Sequence, residues 1–215
     1  MSRREEIAQS LAAVQSRISR PDVTLIVVTK TYPASDVQIL QELGVSDFGE
    51  NRNEEGLEKS AIVSGRWHFQ GEIQSRKLRD IAQWAAVIHS LDNASHATKL
   101  NSVAENSIDV FLQLSLDGDP ARGGLPAEQL PALGQHLESL PKLNLVGLMC
   151  VLPLGVEPRI GFTQVAEIHK NFQVEFPAAK SLSAGMSGDF EIAIDCGATH
   201  IRVGSQILGQ RPTHG

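Results

Sequence analysis

The residue best placed for covalent chemistry in this sequence is Lys30. It directly follows Thr24–Thr29, a continuous run of apolar and β-branched residues. Such runs are typical of a strand buried on both faces, as in a parallel sheet. Desolvation disfavours a charged ammonium group, so the neutral amine becomes available as a nucleophile for Schiff-base formation. Two alternatives stay open for Lys30: a side chain that extends to solvent at the rim, or one that pairs with a substrate phosphate.

Small residues near the end of the sequence could hold a phosphate. Ser183, Gly185 and Ser187 lie at or just after the end of one predicted strand, and Gly204 and Ser205 follow the next. Backbone amides and the N-terminus of a short helix commonly bind phosphate at this position of a barrel. The alternative is that these glycines only form tight turns between strands and helices.

Four further polar residues could point into the same site. Arg202 would place a permanent cation beside the phosphate, although arginines more often form surface ion pairs. His68 lies between aromatic residues in a predicted strand and could face inward, with a buried structural histidine as the alternative. Glu50 and Asn51 are either inward ligands or the cap of the next helix. Met186 is interpreted from its type as a packing residue.

These residues need a framework that brings strand ends together, and the hydrophobic pattern predicts one. Strands alternate with helices along the chain, and a further amphipathic helix precedes the first strand. The predicted strands are 24–29, 46–49, 67–70, 86–89, 109–116, 145–151, 181–184 and 200–203. Strict alternation predicts parallel strands with crossover helices, and eight such units would close a TIM-type barrel. An open doubly wound sheet is the competing fold, but no early GxGxxG turn supports it.

Composition predicts one ordinary globular domain over residues 1–215. The chain carries a net charge of -6 and 41% apolar residues, and no dense basic stretch suggests a nucleic-acid partner. Cys150 and Cys196 lie far apart, which favours two reduced thiols over a disulfide or a zinc site. We find no leader peptide and no membrane-spanning run, and we therefore expect a cytoplasmic protein.

The motifs together resemble a known family. VVTKTYPAS, FGENRNEE, WHFQGEIQSRK, GLM, LSAGMSGDFEIAI and IRVGSQILGQR occur in order over nearly the whole chain. This series resembles the pyridoxal phosphate homeostasis proteins, small relatives of the alanine racemase barrel. The resemblance implies a single (β/α)8 barrel of pyridoxal phosphate fold type III, with an extra N-terminal helix.

The resemblance also implies roles for individual residues. Lys30 would carry pyridoxal 5′-phosphate as a Schiff base, and Arg202 would face the pyridine nitrogen. Asn51 would lie near the ring. The phosphate would be bound by Ser183, Gly204 and Ser205, and the pocket would be lined further by His68, Met186 and Ser187. The chain departs from the family pattern at Thr29, Arg52, Gln70, Ala184 and the sequence SGD, and none of these removes a proposed contact.

The family is regarded as holding and delivering the cofactor, and we expect this chain to be a monomeric, non-catalytic carrier that serves apo-enzymes. A two-base racemase needs a second acid on the opposite face of the substrate. The single tyrosine, Tyr32, lies two residues beyond Lys30, and we expect no second domain after the last strand. A weak amino-acid racemase is the alternative, and a phosphosugar-binding barrel without a Schiff base is the third interpretation.

Overall fold

Eight parallel strands form a closed barrel in this computed structural model, which describes residues 1–209. Each strand pairs with the next along the chain, and β1 pairs with β8 to close the ring. The strands are β1 (Thr24–Val28), β2 (Asp47–Glu50), β3 (Arg66–Phe69), β4 (Val87–Leu91), β5 (Ile108–Leu114), β6 (Leu143–Cys150), β7 (Ser181–Met186) and β8 (His200–Val203). The barrel prediction is therefore confirmed, and the open sheet is excluded.

Helices lie on the outside of the barrel; the first precedes β1, the last follows β8, and the others connect successive strands. They are α1 (Arg3–Gln15), α2 (Ala34–Glu42), α3 (Asn53–Ser60), α4 (Leu78–Trp84), α5 (Ala94–Val103), α6 (Leu130–Glu138), α7 (Pro158–Glu175), α8 (Phe190–Asp195) and α9 (Ser205–Leu208). The extra helix α1 begins with a capping box, in which Ser2 and Glu5 accept each other's backbone amides. The short helix α9 has no counterpart among the predicted helices.

The core lies between the strands and the surrounding helices, where apolar faces of both meet. Ile26 and Val27 of β1 are fully buried, as the continuous apolar pattern predicts. One close contact fixes the loops above the barrel. A Cβ atom at Gly71 would lie 1.9 Å from the carbonyl oxygen of Asn51, so only glycine lets these two loops approach so closely.

Several sequence expectations concern what the chain lacks. Within residues 1–209, no helix combines the length and apolar character that crossing a membrane requires. The same residues contain no cluster of acidic, histidine and cysteine side chains suited to a metal ion. Cys150 and Cys196 are both free cysteines. The predicted domain also includes residues 210–215, which lie outside the described part.

Candidate functional site

A cavity of about 300 Å³ opens at the carboxyl ends of the barrel strands. We call it the carboxyl-end cavity. Its walls come from the ends of β1, β2, β3, β6, β7 and β8 and the loops that follow them. The lining residues are Val28, Lys30, Tyr32, Asn51, Gln70, Met149, Val151, Met186, Ser187, Gly188, Arg202, Gly204 and Ser205. Residues distant in sequence thus meet where barrels of this type place their functional groups.

Most of the residues predicted from the sequence lie together in this cavity. Its walls include Lys30, Asn51, Met186, Ser187, Arg202, Gly204 and Ser205. His68 and Ser183 do not line it, because both are buried deeper inside the barrel. Sequence reasoning overlooked other wall residues, including Val28, Val151 and Gly188. Only their position in the sequence could have identified them as wall residues, since each lies at or just after the carboxyl end of a strand.

The wall of the cavity is cationic. Lys30 and Arg202 line it, and none of its described lining residues is an aspartate or glutamate. Gln70 adds a side-chain amide nitrogen that is buried without a hydrogen-bond partner among the described residues. A buried donor left unpaired is costly, which favours a ligand that brings acceptors to it. The cavity is therefore suited to a small anion with several hydrogen-bond acceptors.

Arg202 is held from below by uncharged acceptors. Only 5% of the residue is exposed, and its guanidinium donates to Ser183 Oγ at 2.7 Å and to the carbonyl of Cys150 at 3.0 Å. Burial lowers the pKa of Arg202 to about 10, which leaves the group charged at neutral pH. Burial also raises the pKa of the Cys150 thiol to about 12, so this cysteine is not a nucleophile.

The backbone on both sides of Lys30 is fixed by an ionic cluster. Lys59 Nζ donates to the carbonyl of Thr29 at 2.8 Å, and the amide of Thr31 donates to Glu55 Oε2 at 2.7 Å. Lys59 also donates to Glu55 at 3.0 Å. Thr31 has a φ of 72°, a left-handed conformation that costs a β-branched residue energy unless its surroundings hold it. The cluster therefore determines where the chain leaves β1 and where Lys30 starts.

Glu50 completes this cluster inside the protein. It is fully buried and accepts from Lys59 and from the Thr29 hydroxyl, both at 2.6 Å. Burial raises the pKa of Glu50, although the charge of Lys59 opposes this effect. Of the two sequence interpretations of Glu50, neither describes this role: it neither lines the cavity nor caps α3, whose cap position is Arg52.

Tyr32 is a candidate acid, and Arg52 and Gln70 depart from the family pattern. These three residues have different surroundings. Tyr32 is buried, and its hydroxyl donates to the carbonyl of Gly209 at 2.5 Å. Arg52 is mostly exposed and forms a 3.6 Å ion pair with Glu55, outside the lining of the cavity. Gln70, in contrast, lies in the wall. Of these departures, Gln70 is the one that can contact a bound ligand.

A second, polar opening lies at the opposite, amino end of the barrel. We call it the amino-end mouth, and its lining includes Asp47, Arg66, Asp109 and His200. These residues lie at or next to the first positions of β2, β3, β5 and β8. His68 lies above this mouth and hydrogen-bonds to Asp47 at 3.0 Å and to His89 at 2.9 Å. The barrel interior therefore contains several ionisable groups below the carboxyl-end cavity.

A partly buried histidine makes the fold sensitive to acid. Burial lowers the pKa of His200 to about 4, from an ordinary value of 6.5. The unfolded chain therefore binds more protons between these values, and stability is lost as the pH falls from 6.5 towards 4. His200 alone should contribute about 3 kcal/mol to this loss. Urea unfolding at pH 7.5, 5.5 and 4.5 should show a free energy of unfolding that decreases as the pH falls.

His200→Gln should flatten this acid-induced loss, because glutamine does not titrate. His136→Gln is the control, since His136 lies on α6 outside the barrel and bonds to Thr98. Equal pH dependence in the two variants would contradict the assignment to His200.

Comparison with known proteins assigns this chain to a family. The chain matches the family model described as the N-terminal domain of alanine racemase over residues 3–212. It is 41% identical over 207 residues to the pyridoxal phosphate homeostasis protein of Corynebacterium glutamicum, a match covering 90% of this chain and 94% of that protein. This chain belongs to the pyridoxal phosphate homeostasis protein family.

Solved structures agree with this assignment. PipY of Synechococcus elongatus, solved with PLP bound, superposes with a TM-score of 0.87 at 33% identity. That match covers 94% of this chain and 100% of PipY. Alanine racemase of Corynebacterium glutamicum superposes with a TM-score of 0.80 at 15% identity, and the match covers 98% of this chain and 62% of the racemase. At that identity the racemase shows the fold alone, and it confirms the predicted alanine-racemase-type barrel.

Proposed function

We propose that this chain binds pyridoxal 5′-phosphate in the carboxyl-end cavity and holds it for delivery to apo-enzymes. The observation that carries the proposal is a cavity with a lysine and a buried arginine in its wall and no described carboxylate lining it. When bound, the cofactor supplies an aldehyde that condenses with a primary amine and releases water. Lys30 is the lysine that lines the cavity, and it would provide that amine in a Schiff base.

The remaining wall residues fit the rest of the cofactor. Gly204 and Ser205 stand at the start of α9, where backbone amides lack partners within the helix, and they would bind the phosphate with the Ser187 hydroxyl nearby. Asn51, Met186 and the unpaired Gln70 amide would contact the ring and its substituents. In this arrangement His68 and Ser183 act from beneath the cavity and do not contact the cofactor.

Arg202 limits the chemistry that the site can support. A guanidinium only donates hydrogen bonds and does not give up its proton near neutral pH. Opposite the pyridine nitrogen it would leave that nitrogen unprotonated, whereas a carboxylate there would keep it charged. The cofactor would then withdraw electrons only weakly from a bound amino acid, which disfavours transamination and decarboxylation.

The Tyr32 environment favours a carrier over a racemase. Its hydroxyl already donates to Gly209, and it leaves the barrel from the same strand end as Lys30. No other described residue in the wall of the cavity is a histidine, cysteine, aspartate or glutamate that could serve as the second acid. General acid–base help typically contributes about 10²–10⁴-fold, so turnover without it should be slow.

The decisive experiment adds pyridoxal phosphate to the purified protein and then each common L-amino acid. We expect a yellow protein whose near-visible band disappears after borohydride reduction, with no steady formation of D-amino acids on chiral chromatography. The loaded protein should also restore activity to an apo-enzyme that depends on this cofactor. Racemisation near the roughly 10 s⁻¹ median of enzymes would instead establish the racemase. Phosphate-ester binding without a visible band would establish the phosphosugar-binding barrel.

A further inference from the structure

A line of polar side chains runs through the barrel interior below Arg202. Arg202 Nη1 lies 2.7 Å from Ser183 Oγ, which lies 2.9 Å from His89 Nδ1. His89 Nε2 lies 2.9 Å from His68 Nδ1, and His68 Nε2 lies 3.0 Å from Asp47 Oδ1. We call these residues below Arg202 the polar chain. It connects the carboxyl-end cavity to the amino-end mouth.

The donor at one end, Arg202, and the acceptor at the other, Asp47, determine the direction of every hydrogen bond in the polar chain. A guanidinium can only donate, so Ser183 Oγ accepts from Arg202 and its own hydroxyl hydrogen is left for His89 Nδ1. His89 Nδ1 is then an acceptor, and its Nε2 carries the hydrogen. That hydrogen is donated to His68 Nδ1.

The hydrogen bond between His68 and the Asp47 carboxylate has the same direction. His68 Nε2 carries the remaining hydrogen and donates it to Asp47. Burial lowers the pKa of His68 and of His89, which keeps both rings neutral and makes each a donor at one nitrogen and an acceptor at the other. Burial opposes the ionisation of Asp47, but hydrogen bonds, that of His68 first, lower its pKa overall. All four hydrogen bonds therefore point the same way, from the cation to the anion.

The polar chain connects Arg202 to a carboxylate that it does not contact directly. Ser183 and His89 are fully buried, with no exposed surface, and His68 is 1% exposed. The two hydrogen-bond acceptors of Arg202 among residues 1–209 are uncharged, so no direct carboxylate partner orients it. Hydrogen bonds aligned in series in a low-dielectric interior polarise one another. The negative charge of Asp47 thereby stabilises the positive guanidinium through the polar chain.

We propose that the polar chain positions Arg202. It fixes the guanidinium in the wall of the cavity, where the N–H groups that do not bond to Ser183 or Cys150 are left to the ligand. This inference rests on the proposed function, in which Arg202 faces the ring of the cofactor. It assigns a role to two residues, His68 and Ser183, that the wall of the cavity does not include, and to His89 and Asp47.

The test compares two histidines that touch the same phenylalanine. His89 stacks on Phe111 with ring centroids 4.4 Å apart, and His200 meets the edge of that ring at 5.2 Å. The hydrogen bond of His200 goes to Thr199, outside the polar chain. His89→Phe therefore interrupts the polar chain and retains an aromatic ring, whereas His200→Phe makes the same substitution and leaves the chain intact.

The measurements use the full-length protein with and without pyridoxal phosphate. In His89→Phe we expect a shifted absorption maximum of the bound cofactor and release roughly tenfold faster, the effect of weakening one charge-assisted hydrogen bond. The NMR signals of the Arg202 guanidinium should also move in the unloaded protein. His200→Phe should match the parent in all three. Equal behaviour of the two variants would overturn the proposal.

A second measurement needs no substitution. Nitrogen-15 spectra of the unloaded parent protein should show His68 and His89 with hydrogen on Nε2 and none on Nδ1. Hydrogen on Nδ1 of His89 would reverse the chain and overturn the proposal. Because this measurement does not involve the cofactor, its outcome is independent of whether the proposed function is correct. Failure of the parent protein to bind pyridoxal phosphate would refute the proposed function and with it the role of Arg202.

Discussion

Lys30→Ala protein is expected to retain no pyridoxal phosphate that borohydride can fix to the chain. Lys30 is the lysine among the described lining residues of the carboxyl-end cavity, and without its amine the aldehyde has no partner there. The loss should be complete. The absorption spectrum after addition of the cofactor, followed by reduction, digestion and mass spectrometry of the peptides, measures it.

Lys77→Ala is the matched control for this experiment. Lys77 lies in the wall of a smaller adjacent cavity of about 110 Å³ and pairs with the exposed Glu54. The variant should keep the full band and the label on Lys30. If Lys30→Ala protein instead carried the reduced cofactor on Lys77 or another lysine, the site assignment would be wrong.

Lys59→Met is expected to cost about 3–5 kcal/mol of unfolding free energy. Methionine fills much of the same space but leaves Glu50, which is fully buried, without its cation. It also removes the hydrogen bond that holds the carbonyl of Thr29. Since whole domains are stable by about 5–15 kcal/mol, this single change removes a large share. Urea unfolding at neutral pH measures the loss.

Two comparisons separate the charge effect from other effects. Lys77→Met removes a lysine from an exposed ion pair and should cost less than about 1 kcal/mol. Glu50→Gln combined with Lys59→Met removes both charges and should recover part of the loss. If the double variant were no more stable than Lys59→Met alone, the unpaired carboxylate would not be the cause.

The sequence predicted the framework well because its signals are local. Each of the eight predicted strands coincides with an observed strand, and the observed ends differ from the predicted ones by at most two residues. Strand order follows from alternation with helices, since parallel strands require crossovers. Lys30 was recognised for the same reason: the buried run before it fixes its place at a strand end.

Depth inside the barrel was not predictable in this way. Alternation along β3 correctly indicates that His68 faces inward, but it does not say which layer of the interior the ring occupies. Gln70, two residues further along, lines the cavity, and His68 lies one layer below it. The layer depends on strand tilt and on the register between neighbours, which are properties of the closed barrel. Ser183 and Met186 of β7 differ in the same manner.

The ionic cluster around Lys59 was overlooked for a different reason. Glu55 and Lys59 are four residues apart, a spacing that usually indicates an exposed ion pair on a helix. Only the packing of α3 against the barrel buries the lysine beside Glu50. A short-range pattern cannot distinguish a solvated pair from a buried one, because burial is decided by residues elsewhere in the chain.

The closure of the barrel has a consequence for the protein as it is synthesised. β1 pairs with β8, and Arg17, just after α1, bonds to Glu191 and Gln206 near the other end of the chain. On the ribosome, β1 therefore keeps one edge unpaired until residues 200–203 have emerged. Unpaired strand edges promote association between chains, and contacts distant in sequence form slowly. The free edge of β1 is therefore open to association with other chains until the last strand pairs with it.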